Sequence, residues 1–357
     1  MNGYDYQNGS YTQEPDYYNL YTGEKLKEAR GVFSRFHLAL FIFNVVTYAV
    51  AILAEIVIFL TLGDAAADLF ENNIYFQWLF SMVPMYLFGF PVFVLIVRNM
   101  KTTSREKKGM SLLEFLAIFA IAQGVMFVGN AIGNSLNSII GAFLGHEITN
   151  STSELIESTP IWLVFLVVVI IGPIIEELMF RKFMIDRLAR YGDAVAITVS
   201  SIAFGLFHGN LYQFFYAAML GFVLGYIYTK TGNVKYSIFM HMLINFFGSV
   251  LVLPIIEMMA EIEEMSVIMN EGGKIDMLKL LQNAMVVGTY SILNYVLMIA
   301  GIVLLISCIT NKKIKLSKTC EYKIPSERVV DTVMLNTGSI LFILMSLVLF
   351  ALSIFAV

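Results

Sequence analysis

Long apolar runs recur along the whole of this chain, at about 38–62, 76–98, 112–133, 160–182, 194–210, 212–229, 236–256, 284–308 and 335–356. A helix needs roughly 20 such residues to cross a hydrocarbon layer about 30 Å thick. Inside that layer each backbone N–H and C=O must be satisfied by the chain itself, as a helix does. Composition agrees: 58% of the 357 residues are hydrophobic and 14% charged, with a mean hydropathy of +0.75. A soluble domain carries about a quarter of its residues as charges. The expected fold class is therefore all-α, a polytopic transmembrane helix bundle of about eight or nine spans.

The connecting segments alternate in charge. Lys25, Lys27, Arg30 and Arg35 precede the first run, Arg98, Lys101, Arg105, Lys107 and Lys108 follow the second, and Arg187 and Arg190 follow the fourth. Lys230 and Lys235 follow the sixth, and Lys312, Lys313, Lys315, Lys318 and Lys323 follow the eighth. The loops between are acidic, with Asp64 and Asp68, then Glu147, Glu154 and Glu157, then Glu261, Glu263, Glu264 and Glu271. The positive-inside rule puts the amino terminus and the basic loops in the cytoplasm and, if all nine runs cross, the carboxyl terminus outside. A net charge of −4 spread over opposite-signed loops gives no footprint for nucleic acid. Cys308 and Cys320 have no disulfide or metal-knuckle spacing and read as free thiols.

The expected organisation is a disordered, Tyr-rich cytoplasmic tail over 1–35, amino-terminal spans over 36–144, a core over 160–256, an external acidic segment over 257–283 and carboxyl-terminal spans over 284–357. Membrane lipid is the implied surroundings, a multi-pass cell membrane the location, and the sequence does not fix an oligomeric state.

Within the core, an uncharged stretch from Ile161 to Ile175 runs directly into Glu176 and Glu177, with Arg181 one turn later. Neighbouring helical residues point about 100° apart, so the two acids cannot face one point. Glu177 and Arg181 stand at i and i+4 with the acid first, the better order for a helical ion pair. Glu176 is left without a local partner, and a carboxylate whose burial raises its proton affinity makes a competent base for water. A charged rim at the membrane interface would also explain the three residues. The histidines weigh against it. The chain has four, of which His37 and His146 sit at span edges as interfacial residues. His208 lies in an apolar run four residues after Phe204, and His241 lies in another four residues before Asn245. An imidazole inside a membrane needs a polar partner, and one shared polar site is the economical account of Glu, His, His and Asn on three spans.

The ordered motifs Glu-Glu-x-x-x-Arg (Glu176, Glu177, Arg181), Phe-x-x-x-His (Phe204, His208) and His-x-x-x-Asn (His241, Asn245) resemble those of the CPBP family of intramembrane proteases, which includes the type II CAAX prenyl endopeptidases. The resemblance covers roughly residues 160 to 250. It implies an intramembrane protease core with a hydrolytic site, catalytic roles for Glu176 and His208, and His241 and Asn245 as partners, with Glu177, Arg181 and Phe204 as structural support.

The chemistry fits these residue types. Peptide hydrolysis needs an activated water, a stabiliser for the developing oxyanion and a proton for the leaving amine. Glu176 with His208 can activate the water, while His241 and Asn245 can donate to the oxyanion. Glu176, His208 and His241 can also supply three ligands to a metal with one position open for water, and Zn²⁺ is the ion these ligand types favour. A glutamate-dependent site without metal is the other reading, and both stay open. Three function classes follow: an endopeptidase acting on peptide, protein or lipidated CAAX-like substrates, a non-catalytic membrane scaffold or bacteriocin-immunity protein, and a proton-coupled transporter. No repeated halves or paired broken helices support the transporter. The Tyr-rich tail and basic cytoplasmic face suit a bacterial plasma-membrane protein.

Overall fold

A computed structural model describes residues 17–317 and 320–355, with side chains from residue 23 onward. Among the described residues there is no strand, and eight helices are long and apolar enough to cross a membrane. In chain order the helices are α1 (Tyr17–Leu62), α2 (Asp64–Asn72), α3 (Ile74–Val97), α4 (Leu112–Leu144), α5 (Ser151–Glu157), α6 (Ile161–Tyr191) and α7 (Asp193–Phe207). They continue with α8 (Leu211–Thr231), α9 (Val234–Asn270), α10 (Met277–Thr310), α11 (Val329–Val333) and α12 (Thr337–Phe355). Of the segments expected to span, the fifth is the exception: α7 has 15 residues, so it rises only about 22 Å at 1.5 Å per residue.

Two further boundaries differ from the sequence expectation. The tail at 1–35 lies outside the described residues as far as residue 16, but from Tyr17 the chain is already α1. Leu26, Ala29, Phe33 and Phe36 fall at helical spacing and are buried in the main core, so packing orders this stretch in spite of its polar flank. The acidic segment at 257–283 is not separate either: residues 257–270 continue α9. Glu261 is held there by Lys279 at 2.9 Å and Asn283 at 2.6 Å on α10.

Two hydrophobic cores position the site. One joins α1, α3, α6 and α7, and the other joins α4, α8 and α9. Close approach of α4 to α8 depends on missing side chains, because a Cβ on Gly129 would lie 2.5 Å from the Tyr216 Cα. At the basic end of the bundle, the extended segment after α3 is tied across the helix ends. The Thr103 N–H donates to the Asp186 carbonyl at 2.7 Å, Arg105 donates to Asp193 at 2.6 Å, and the Lys108 N–H donates to the Thr231 carbonyl at 2.7 Å. Lys101 reaches Glu321 at 2.9 Å and Arg190 reaches Glu28 at 2.8 Å. The loops expected on one side of a membrane thus gather at one end.

Candidate active site

Glu176 stands at the midpoint of the 31-residue helix α6, within a short α-helical piece, Gly172–Glu177, flanked by wide π-helical turns at Phe165–Ile171 and Leu178–Ile185. π-turns inside α-helices mark functional sites often enough to be informative. One local cause here is Pro173. The Gly172 N–H bonds back five residues to the Val167 carbonyl, and in that register the Val168 carbonyl would need an N–H from residue 173, which proline lacks. The Asn245 amide supplies it, donating to the Val168 carbonyl at 2.9 Å. Asn245 was expected as an oxyanion donor; one of its two amide hydrogens is instead committed to mending α6.

The two glutamates divide as their angular separation requires. Glu177 is fully enclosed, with one oxygen 3.2 Å from the Arg181 Nε and the other accepting from the His241 Nδ1 at 3.2 Å. Arg181 is also wholly buried, and its guanidinium lies over the Phe204 ring at 4.7 Å. Its two terminal nitrogens find no hydrogen-bond acceptor, so the aromatic face and Glu177 are what offset its charge. The side chain of Glu176 retains 21% exposure, and its Oε2 is 3.7 Å from the Nε2 of His241.

His208 is placed by the end of α7. The helix stops at Phe207, His208 keeps helical dihedrals, Gly209 turns with φ +68°, and Asn210 caps α8 by accepting from the Gln213 N–H at 2.8 Å. Glycine takes that left-handed turn without steric penalty. The His208 Nδ1–H donates to the Phe204 carbonyl at 2.8 Å, and its ring meets the Phe204 ring edge-on at 4.8 Å. Phe204 touches His241 in the same way at 5.8 Å. One buried phenyl ring therefore spaces both imidazoles and the arginine. His208 is also in electrostatic reach of Glu176 and His241. Helix α6 extends to Tyr191 rather than ending at 182, which leaves Glu176 at its middle rather than near its end, and α7 is short.

The structure thus brings Glu176, Glu177, Arg181, Phe204, His208 and His241 together and sets Asn245 one turn along α9. It adds Tyr86 on α3 and Tyr216 on α8, both within electrostatic reach of Glu176, and the buried Ser237 beside Glu177. No sequence pattern marks these three, since each lies in an apolar run without a spacing tied to the motifs. His37 is not interfacial: it is buried, with Nδ1 3.0 Å from the Phe33 carbonyl and 2.8 Å from the Ser339 hydroxyl. Each site histidine gives its Nδ1–H to a fixed acceptor and presents the Nε2 lone pair, the tautomer a metal ligand would need. Yet among the described residues no three His, Cys, Asp or Glu side chains are arranged to hold an ion.

Fold and site together define a polytopic, all-helical membrane protein with a cluster of Glu, Arg and His side chains buried in its helix bundle. Residues 158–247, which contain all three motifs, match the family model described as type II CAAX prenyl endopeptidase Rce1-like. Among curated proteins the chain is 28% identical over 183 residues to the Putative membrane peptidase YdiL of Bacillus subtilis (strain 168), covering 50% of this chain and 72% of that protein. It is 30% identical over 105 residues to the UPF0177 protein YxdF of Lactococcus lactis subsp. lactis (strain IL1403), covering 29% of this chain and 58% of that protein. No solved structure matches the chain.

Proposed function

We propose that this protein is an intramembrane endopeptidase of a bacterial plasma membrane, hydrolysing peptide bonds in peptides or lipidated, CAAX-like protein termini with water activated by Glu176. The observation that carries the proposal is the unequal state of the two acids: Glu177 is consumed by Arg181 and His241, while Glu176 faces a histidine lone pair and keeps part of its surface open. A water between Glu176 and the His208 Nε2 would give one hydrogen to each. Attack on the scissile carbonyl transfers the water proton to Glu176, and collapse of the tetrahedral intermediate returns a proton to the leaving amine. His241, fixed in tautomer by Glu177, stands 3.7 Å from Glu176 with an Nε2 lone pair that can accept from the Glu176 carboxyl once it has taken the water proton.

The match at 158–247 and the bacterial relatives support both the reaction class and the location. The test is proteolysis by the purified protein in liposomes, alongside Glu176→Gln and His208→Ala. Both variants are expected to keep the parental unfolding midpoint and lose turnover. Cleavage by Glu176→Gln at the parental rate would sink the proposal. Comparing protein termini in cells with and without the active chain would then name the substrate.

A further inference from the structure

The site as built keeps few uncommitted hydrogen-bond donors, the second amide hydrogen of Asn245 among them. Peptide hydrolysis places negative charge on the former carbonyl oxygen, and a donor must meet it. The His208 Nδ1–H is spent on the Phe204 carbonyl, the His241 Nδ1–H on Glu177, and one amide hydrogen of Asn245 on Val168. Neutral imidazoles in these tautomers turn only lone pairs toward Glu176.

Tyr86 answers that shortage from outside the matched segment. It lies in the wide turn Pro84–Gly89 of α3 and is half-buried. Its hydroxyl would be 3.7 Å from a Cβ on Gly172, ordinary contact distance, so it packs against this face of α6. Gly172 and Glu176 are i and i+4 in one α-helical piece, which puts their Cβ positions about 5–6 Å apart on the same face. The hydroxyl thus lies on the face of α6 that carries the base one turn further on, within electrostatic reach of Glu176, and it makes no hydrogen bond among the described residues. Resting on the endopeptidase proposal above, we infer that Tyr86 is a catalytic residue whose O–H donates to the oxyanion of the tetrahedral intermediate. The hydroxyl keeps its proton throughout. The water O–H bond breaks toward Glu176, the new C–O bond forms, the carbonyl electron pair moves onto oxygen and is met by Tyr86, and on collapse the C–N bond breaks as the amine takes its proton.

The test uses the full chain in liposomes with a pool of quenched-fluorescent peptides. Tyr86→Phe is expected to lower kcat by about 100-fold, with KM within twofold of the parent, since the lost contact exists only in the transition state. Tyr75→Phe, on the exposed part of the same helix, is the control for the substitution itself. A kcat loss of less than tenfold in Tyr86→Phe, while Glu176→Gln is inactive, overturns the role of Tyr86 and leaves the endopeptidase proposal standing. Activity persisting in Glu176→Gln removes that proposal instead. Placement is tested without turnover by Tyr86→Cys with Glu176→Cys, in a chain whose Cys308 and Cys320 are replaced by Ser. Thiol cross-linkers of graded span up to about 12 Å, the helical i, i+4 separation plus the length of the tyrosine ring that cysteine lacks, should join them, and absence of any cross-link overturns the inference.

Discussion

The Glu177–Arg181 pair offers the sharpest energetic test, because both side chains are fully enclosed and separated by 3.2 Å. Replacing Arg181 by Met keeps most of the apolar volume over Phe204 but strands the Glu177 carboxylate with His241 and Ser237 alone. Breaking a buried pair by removing one partner costs about 3–5 kcal/mol, so the folded-to-unfolded ratio should fall by roughly two to four powers of ten at 1.4 kcal/mol per tenfold. Glu177→Leu should cost a similar amount by stranding the guanidinium, whose terminal nitrogens already lack acceptors. The double variant removes both charges. It should return to within about 1–2 kcal/mol of the parent, because apolar replacement of a buried pair is close to neutral. The expected coupling energy is therefore about 3 kcal/mol or more, far above the additivity found for independent sites. Reversible unfolding in mixed micelles, followed by helical circular dichroism, measures it. The double variant should nevertheless turn over slowly, because His241 has lost the acceptor that fixes its tautomer. Single-variant costs below about 1 kcal/mol, or simple additivity, would refute the enclosed pair and with it the division of labour between the two glutamates.

Three other outcomes are expected. Cysteines introduced at Lys107 and Lys313, in a chain otherwise free of cysteine, should resist a membrane-impermeant maleimide added to intact cells, and labelling from outside would reverse the topology. Gly129→Val should push α4 from α8 at the Tyr216 backbone and lower the unfolding midpoint, whereas Gly288→Val, with open space around it, should change it little; equal midpoints would refute the close packing. Elemental analysis of active protein should find far less than one zinc per chain, with turnover surviving chelation. One ion per active chain, with activity lost on chelation and restored by zinc, would instead assign Glu176, His208 and His241 as ligands.

Much of the site was legible because membrane segments make polar residues conspicuous. An acid or imidazole inside an apolar run must find a partner, so Glu176, Glu177, His208 and His241 stood out without structural information, and the i, i+4 order gave the partner of Arg181. The helical class was legible for the same reason. Span limits were not, since a run of apolar residues says where a helix is buried but not where it stops. Helix α6 continues past its apolar run to Tyr191, where Asp186 and Arg187 are buried by local pairing, with the Tyr228 hydroxyl donating to Asp186 at 2.6 Å and the Arg187 Nε donating to the Val97 carbonyl at 2.9 Å. No periodicity reports such compensation.

The division between Asn245 and Tyr86 has the same origin. Sequence spacing places His241 and Asn245 on one helix face, and from that alone a shared role at the oxyanion is reasonable. What engages one amide hydrogen of Asn245, leaving the second free, is a defect in another helix: Pro173 has no N–H, the register ahead of it is π-helical, and the Val168 carbonyl is left without a backbone donor. The amide one turn beyond His241 closes that gap, and in doing so holds α9 against α6, which keeps His241 within reach of both glutamates. The same piece of α6 then offers Gly172 to Tyr86. Asn245→Ala should therefore act through α6, lowering the unfolding midpoint by leaving a buried carbonyl unpaired at about 1–3 kcal/mol, with Asn245→Gln restoring neither the reach nor the midpoint. A variant that folds at the parental midpoint but loses kcat alone would return Asn245 to the oxyanion.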